Sequence, residues 1–453
     1  MNDAINPLDG RYYEKTRALA PYFAESALMK YRVMMECEFL ICLAEAKVTG
    51  LRKLTGSEVS TLRGLYEGWN DSSYKKIKKF EATTNHDVKA VEYFIKESLA
   101  KTSLKDIVEW VHFGLTSEDT NNISYALMLS LSVKNVLLPE LETIAITIEK
   151  MARAHKDLPM LARTHGQSAS PTTLGKELAV FSARLRRQMV QMKSHKVMMK
   201  LNGATGNYNA FVAAYPKANW LKFTTTFVAH LNKVAGVKLE ANLMTTQIES
   251  HDTYAELFDI IRRANMILLD FNQDMWRYIS DGYLTQKPKA GEVGSSTMPH
   301  KINPIDFENS EGNIGLANAL FEFFARKLPV SRLQRDLSDS TVERTFGTAF
   351  GHSVLAYTSL SKGLSKISVN EKKIVDDLLA HPEVVAEAIQ TVMRREGLPV
   401  PYESLKALTR GKEVTMADFA TFIDSLKVSP ELKKELKKFT PQNYIGIANK
   451  LVK

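Results

Sequence analysis

Apolar residues recur at intervals of three and four along most of the chain. Tyr254, Leu257, Phe258, Ile261, Ala264, Leu268, Phe271, Met275 and Tyr278 form one such stripe, the spacing of a helix that turns one face to a core. Neither glycine nor proline interrupts residues 251–281, so the pattern predicts a single helix of about 30 residues, about 45 Å long. Leu174, Leu178, Phe181, Leu185, Met189 and Met192 repeat the pattern, as do Ile123, Leu127, Leu131, Leu137, Leu141, Ile144, Ile148 and Met151, with a kink expected at Pro139. Phe307, Ile314, Ala317, Phe321 and Phe324 make a fourth stripe. Alternating strand patterns bounded by turn dipeptides are scarce. The fold class expected is all-α, with long helices packed as an up-and-down bundle of the kind often shared between subunits.

The pattern changes twice along the chain. Residues 1–112 hold shorter helical segments and many charges, and read as an N-terminal helical domain. Residues 113–365 carry the long helices and read as the central bundle. Beyond Ser368 turn signals return (His381-Pro382, Gly397-Leu398-Pro399, Ser429-Pro430), and 366–453 read as a C-terminal helical domain.

Composition sharpens this picture only a little. A length of 453 residues exceeds one ordinary domain, and 44% hydrophobic with 25% charged residues is usual for a globular protein. The net charge is 60 − 51 = +9, a modest excess that favours anionic small molecules. The lysine runs at 75–79 and 433–438 come with no groove-reading motif, so no nucleic-acid partner is expected. Cys37 and Cys42 are the two cysteines, and neither a disulfide framework nor a metal-ligand spacing accompanies them. The N-terminus lacks a leader's apolar core, and no run of about 18 apolar residues occurs, so the expectation is a cytoplasmic protein without a membrane partner. No Walker or Rossmann glycine string is present, and no cofactor is expected.

The chemistry concentrates in 291–313, GEVGSSTMPHKINPIDFENSEGN. Gly291 and Gly294 leave backbone N–H groups open to an anion, Ser295, Ser296 and Asn303 donate to its oxygens, and Lys301 supplies the counter-charge. This is the composition of a loop that closes over a small carboxylate. Three further polar clusters sit where helices are expected to start: Thr83-Thr84-Asn85-His86-Asp87, Thr116-Ser117-Glu118-Asp119, and Arg163-Thr164-His165-Gly166-Gln167 running on to Pro171. Such clusters cap helices, and the same N–H groups also bind anions.

The string G-S-S-x-M-P-x-K-x-N-P at 294–304 resembles the signature of the aspartase/fumarase superfamily, whose members eliminate fumarate from succinyl groups. The resemblance extends to Asp9-Gly10-Arg11-Tyr12, TTNHDVKAVEYF at 83–94, LTSEDTNN at 115–122, RTHGQ at 163–167, NGATGNYNA at 202–210, TTQIESHD at 245–252 and RDLSDSTVER at 335–344. It thus spans almost the whole chain. His300, in the Met298-Pro299-His300-Lys301 stretch, is similar to what members acting on purine precursors carry. The resemblance implies a three-domain lyase assembling as a homotetramer, with active sites shared between subunits. It implies two small-molecule substrates, adenylosuccinate and the succinyl-carboxamide ribotide SAICAR. Two other readings stay open: a lyase of the argininosuccinate lyase or aspartase type, whose substrates need no phosphate shell, and a catalytically silent helical scaffold.

Elimination removes a proton beside a carboxylate and expels an amine from the neighbouring carbon. The intermediate gathers negative charge, which Lys301, Asn303 and loop N–H groups suit. The departing amine needs a proton, and histidine gives one near neutral pH. His165 is the choice, positioned by Thr164; His86 is the competitor, and the resemblance places it in a supporting role beside the substrate phosphate. Glu308 is expected to orient a histidine. Chemistry alone would name a histidine as base, whereas the resemblance argues for Ser295, with Ser296 as a ligand of the succinyl carboxylate. Phosphate recognition should be cationic and bidentate, and the resemblance implies Arg11, Arg335 and Arg344 for it, which lie in the matching segments, with Tyr12, Ser340 and Thr341 as hydroxyl donors. Asn85, Asp87, Thr116, Ser117, Gln247 and Asn309 complete the expected substrate shell.

Overall fold

In the computed structural model, which describes residues 3–47, 49–287, 291, 297–298, 300–411 and 413–453, the apolar stripes become long helices. The 251–281 stretch is the helix Asp252–Ser280, and every stripe residue except Tyr278 is buried. Leu174–Ser194, Ile305–Lys327 and Phe346–Ser365 are the comparable helices. The stripe from Ile123 to Met151 is divided. The helix Ser117–Ser132 passes through a π turn, Val133–Leu137, into Leu138–Ala154. Pro139 has no N–H to return to the carbonyl four residues back, so the ladder widens by one residue there. The expected kink is therefore a π turn.

The chain divides into two compact units. The larger comprises residues 1–141, 188–266 and 310–358; the other comprises 142–187, 267–309 and 359–453. The larger unit has an aromatic core in which Phe258 lies 5.2 Å from Phe346 and 5.5 Å from Phe321, ring centre to ring centre. Burying each such ring contributes roughly 2 kcal/mol. A polar ladder fixes the register beside it: Asn265 Nδ2 donates to Asn318 Oδ1 at 2.9 Å, and Tyr357 donates to Asn265 Oδ1 at 2.5 Å. The helix Glu25–Ala46 is buried almost all round, including its charged residues Arg32, Glu36 and Glu38.

In the second unit the C-terminal helices close over an apolar core of Leu378, Val385, Ile389, Met393, Phe419, Ile423 and Leu436, with Leu161 inserted from outside that segment. Strands are few and short. β1 (Pro159–Thr164) pairs antiparallel with β2 (Gln167–Thr173), β3 (Val197–Met199) pairs parallel with β4 (Leu239–Ala241), and β5 (Leu284–Gln286) pairs antiparallel with β6 (Ile367–Val369). Among the described residues no helix is long and apolar enough to cross a membrane.

Candidate active site

Residues 163–173 lead into the expected helix at Leu174 but are not its cap. They form the β1–β2 hairpin, in which Thr164 pairs with Gln167, so the connecting loop is His165-Gly166 alone. His165 has φ +52 and Gly166 has φ +73. Two consecutive residues at positive φ make the type I′ turn that matches the twist of a two-residue hairpin. Glycine adopts it readily; a histidine there is held in a sparsely populated conformation, as functional residues often are. The tip leaves His165 exposed. A register shift between Met160 and Ala162 sets Ser170-Pro171 opposite Leu161, a bulge where Pro171 has no ladder N–H to lose.

The segment around His86 is a joint between two helices. Thr83 and Thr84 end the helix Asp71–Thr84, Asn85 closes it in the left-handed conformation (φ +49), and His86 caps the next helix, Asp87–Leu99. His86 Nδ1 accepts from the Lys89 N–H at 3.2 Å. That bond needs the Nδ1 lone pair, so a neutral ring carries its proton on Nε2. Asp87 bridges Arg32 and Arg344, at 2.8 Å each. Burial alone would raise its carboxyl, but the two guanidiniums outweigh that and hold it down at about 2.

Thr116 precedes the helix Ser117–Ser132, which starts earlier than the expected position near Asn121, and its N–H donates to Asp119 Oδ2 at 2.9 Å. Asp119 in turn accepts from the backbone of Asn202 and Gly203 and faces the buried Lys200 at 3.0 Å. Lys200 Nζ also donates to the Gln247 carbonyl at 2.8 Å. The segments at 115–122, 202–210 and 245–252 are thus tied together. Gly206 is needed there: at φ +80, a Cβ on it would lie 2.2 Å from the Thr245 carbonyl oxygen.

Arg335 is mostly buried between two carboxylates, Glu118 Oε2 at 3.0 Å and Asp339 Oδ2 at 3.2 Å. Ser340 donates its N–H to Asp339 Oδ1 at 2.6 Å. Arg344 is more open and spends one N–H on Asp87. Arg11 lies over the Tyr12 ring, 5.7 Å from its centre, and Thr341 is exposed on the helix Ser338–Glu343. Arg32, absent from the expected set, joins these parts. Its Nε donates to Asn121 Oδ1 at 2.9 Å, and Asn121 approaches Glu118 Oε2 at 3.4 Å. A charged chain therefore runs Arg344–Asp87–Arg32–Asn121–Glu118–Arg335–Asp339. Behind it lie Glu343 and His251, both buried, with His251 Nε2 3.4 Å from Glu343 Oε1; the spacing is a charge contact rather than a good hydrogen bond. Burial pushes the His251 ring down, but Glu343 and Glu118 outweigh it and lift it to about 9. Burial, with Glu343 nearby, raises the Glu118 carboxyl.

Arg32, Glu118, Asn121, His251 and Glu343 were missing from the sequence expectation. Arg32 shows only as a charge inside an apolar helical run, while Glu118, Asn121, His251 and Glu343 lie in the polar segments 115–122, 245–252 and 335–344, where nothing local sets them apart from their neighbours.

The second unit holds the remaining candidates. Ser295 and Ser296 lie outside the described residues. Lys301 is exposed, with its N–H bonded to the Met298 carbonyl at 3.0 Å, and Asn303 is half-buried. Glu308, in the first turn of Ile305–Lys327, accepts from Trp276 Nε1 at 3.1 Å. Asn309 Oδ1 accepts from Ser359 at 2.7 Å. Among the described residues no group of His, Cys, Asp and Glu side chains is arranged to hold a metal ion.

Comparison with known proteins gives concordant results. Residues 10–317 match the family described as "Lyase", and residues 331–445 match "Adenylosuccinate lyase C-terminal". The adenylosuccinate lyase of Legionella pneumophila (strain Corby) is 50% identical over 453 residues, covering 100% of this chain and 98% of that protein. That of Escherichia coli (strain K12) is 48% identical over 99% of this chain and 98% of its own length, and that of Dictyostelium discoideum is 50% identical over 98% and 96%. Among solved structures, a 3-carboxy-cis,cis-muconate lactonizing enzyme from Pseudomonas putida superposes with a TM-score of 0.74 at 19% identity over 99% of this chain and 97% of that one. A fumarate lyase from Mesorhizobium sp. BNC1 does so with 0.74 at 15% identity over 97% and 96%. At those identities the likeness is one of fold.

Proposed function

Because the chain belongs to the adenylosuccinate lyase family, we propose that it removes fumarate from adenylosuccinate, leaving AMP, and from SAICAR, leaving AICAR. The proposal includes a homotetramer with active sites shared between subunits and a three-domain layout of 1–112, 113–365 and 366–453. The observation that carries the reading is similarity along the full length to enzymes of that name. The backbone of His165 supports its chemical half: an exposed imidazole on a two-residue turn is set out from the body of its unit, where it can meet a leaving amine.

In this reading His165 protonates the departing nitrogen, with Thr164 beside it at the hairpin tip. Ser295 removes the proton from the carbon next to the carboxylate. Its alkoxide becomes accessible only if cations and N–H groups stabilise it, which is the part given to Lys301 and neighbouring amides. Lys301 and Asn303 then stabilise the charge that collects on the carboxylate, the largest contribution expected in such a reaction. Ser296 binds the succinyl arm. Arg344 and Arg11, with Tyr12, Ser340 and Thr341, bind the phosphate, and His86 offers Nε2–H to it. Arg335, committed to Glu118 and Asp339, holds the wall of that pocket and adds positive potential. Asn85, Asp87, Thr116, Ser117, Gln247 and Asn309 complete the shell, with Glu308 at the loop side.

The test is an absorbance assay of purified protein with adenylosuccinate, SAICAR, argininosuccinate and aspartate in parallel. Turnover of the two purine substrates alone is the expected result. Release of fumarate from argininosuccinate or aspartate, with neither purine substrate consumed, would move the chain to another branch. Activity on none of the four would favour a scaffold.

A further inference from the structure

The His165 hairpin is fastened to the C-terminal helices by both arms. On β1, Arg163 Nη2 donates to Asp377 Oδ2 at 2.8 Å. On β2, Ser168 Oγ lies 3.1 Å from His381 Nδ1, and Ser170 donates to Glu387. Ser168, His381 and Glu383 have the residue types of a nucleophilic triad. Glu383 Oε1 meets the same Nδ1 at 2.8 Å, however, so this acid does not orient the ring from the opposite nitrogen as a triad requires. The cluster is a clamp. Asp377 lies in the helix Glu371–Leu379, beside Leu378, which shares an apolar core with Leu161 of β1.

Asp377 Oδ2 also accepts from the hydroxyl of Tyr283. Tyr283 is buried and directly precedes β5. Its carbonyl accepts from the Asn370 N–H at 2.8 Å, and β5 pairs with β6. β5 ends at Gln286, whose Nε2 donates to the Ile302 carbonyl at 2.7 Å. Ile302 belongs to the signature string 294–304. One carboxylate oxygen therefore meets both Arg163, two residues before His165, and Tyr283, at the head of the strand that ends at Gln286. Burial opposes its charge, but Tyr283 and Arg163 outweigh this and keep the carboxyl below the usual range. A charged acceptor strengthens both bonds.

We infer that Asp377 is a positioning residue, which couples the His165 hairpin through a shared oxygen to the strand that carries Gln286 and its bond to Ile302 of the signature string. The inference rests on the reading of these two segments as the acid and base arms of the reaction. Displacement of either by about 1 Å is enough to lower turnover by as much as about 100-fold.

The experiment measures kcat and KM for adenylosuccinate in Asp377→Ala, Arg163→Met, Tyr283→Phe and the two double variants that include Asp377→Ala, together with their melting temperatures. Asp377→Ala should lower kcat by about 10- to 100-fold with KM changed no more than about twofold. Each double variant should be no slower than Asp377→Ala, because both partners act through that oxygen. Asp377→Glu should recover part of the loss. A folded Asp377→Ala with wild-type kcat overturns the inference, and so do multiplicative losses in the double variants. If Asp377→Ala does not fold, Tyr283→Phe removes a single hydroxyl and carries the test, with unchanged kcat as the overturning result. His165→Asn separates the two readings. Full activity there defeats the assignment of the acid; an inactive His165→Asn beside a normal Asp377→Ala defeats only the coupling.

Discussion

At the scale of single residues, backbone conformation separates chemistry from structure. His165 occupies the first central position of a type I′ turn, φ +52, where asparagine is the preferred non-glycine residue. His165→Asn should therefore keep or raise the melting temperature while cutting turnover by about 10²–10⁴-fold, the usual worth of a general acid. His165→Ala should lose the same activity and some stability as well. A parallel fall in melting temperature for both variants would show that the ring itself, not the turn, holds the hairpin. Gly206 is the opposite case, with no chemistry of its own. Gly206→Ala sets a methyl 2.2 Å from the Thr245 oxygen at φ +80 and should cost about 3 kcal/mol in denaturant unfolding. An unchanged midpoint would mean that the 202–210 and 245–252 segments separate easily.

At the scale of elements, the hairpin depends on a core that it did not build. Leu161 is 1% exposed among side chains of the C-terminal helices. Leu161→Ala should cost about 2–5 kcal/mol, as buried leucine truncations do. It should also lower kcat, because the His165 tip loses its mount. Loss of stability with full kcat would show that the polar clamp alone positions the tip. The π turn at Val133–Leu137 illustrates how one residue reshapes an element: Pro139 removes a single donor, and the stripe continues on the next helix.

At the scale of the whole molecule, buried charge in the larger unit sets opposed pH limits. Glu38, 0% exposed, would be raised by burial, but His230, Arg63 and Tyr66 outweigh that and hold it at about 2; Asp87 is held at a similar value. A carboxyl depressed in the fold contributes stability above its unfolded value, about 4, which is lost as pH falls through about 2. His251 works the other way. Its contribution is complete below the unfolded histidine value of about 6.5 and is lost as pH rises through about 9. Glu118, also raised, adds to the alkaline loss. Thermal melts should therefore peak in the mildly acidic range and decline toward pH 9, with a shallower decline in His251→Asn. A level melting temperature across that range would refute the assignment of the buried charges.

The sequence by itself determined the all-α class and the long helix Asp252–Ser280, because hydrophobic period and caps are local properties of neighbouring residues. It read Thr116 and His86 correctly as helix-start residues for the same reason. It placed the helix that starts at Leu174 but took 163–171 as its cap, where the decisive signal was a His-Gly pair able to take positive φ and turn a hairpin. Only the tertiary structure decided the partners. Asp87 meets Arg344 across 257 positions, and Arg163 meets Asp377 across 214. Pairings at that separation depend on how helices pack, and no period along the chain encodes them. The same holds for Arg32, Glu118 and His251: burial turns ordinary charges into an interdependent network, and burial is a property of the folded chain.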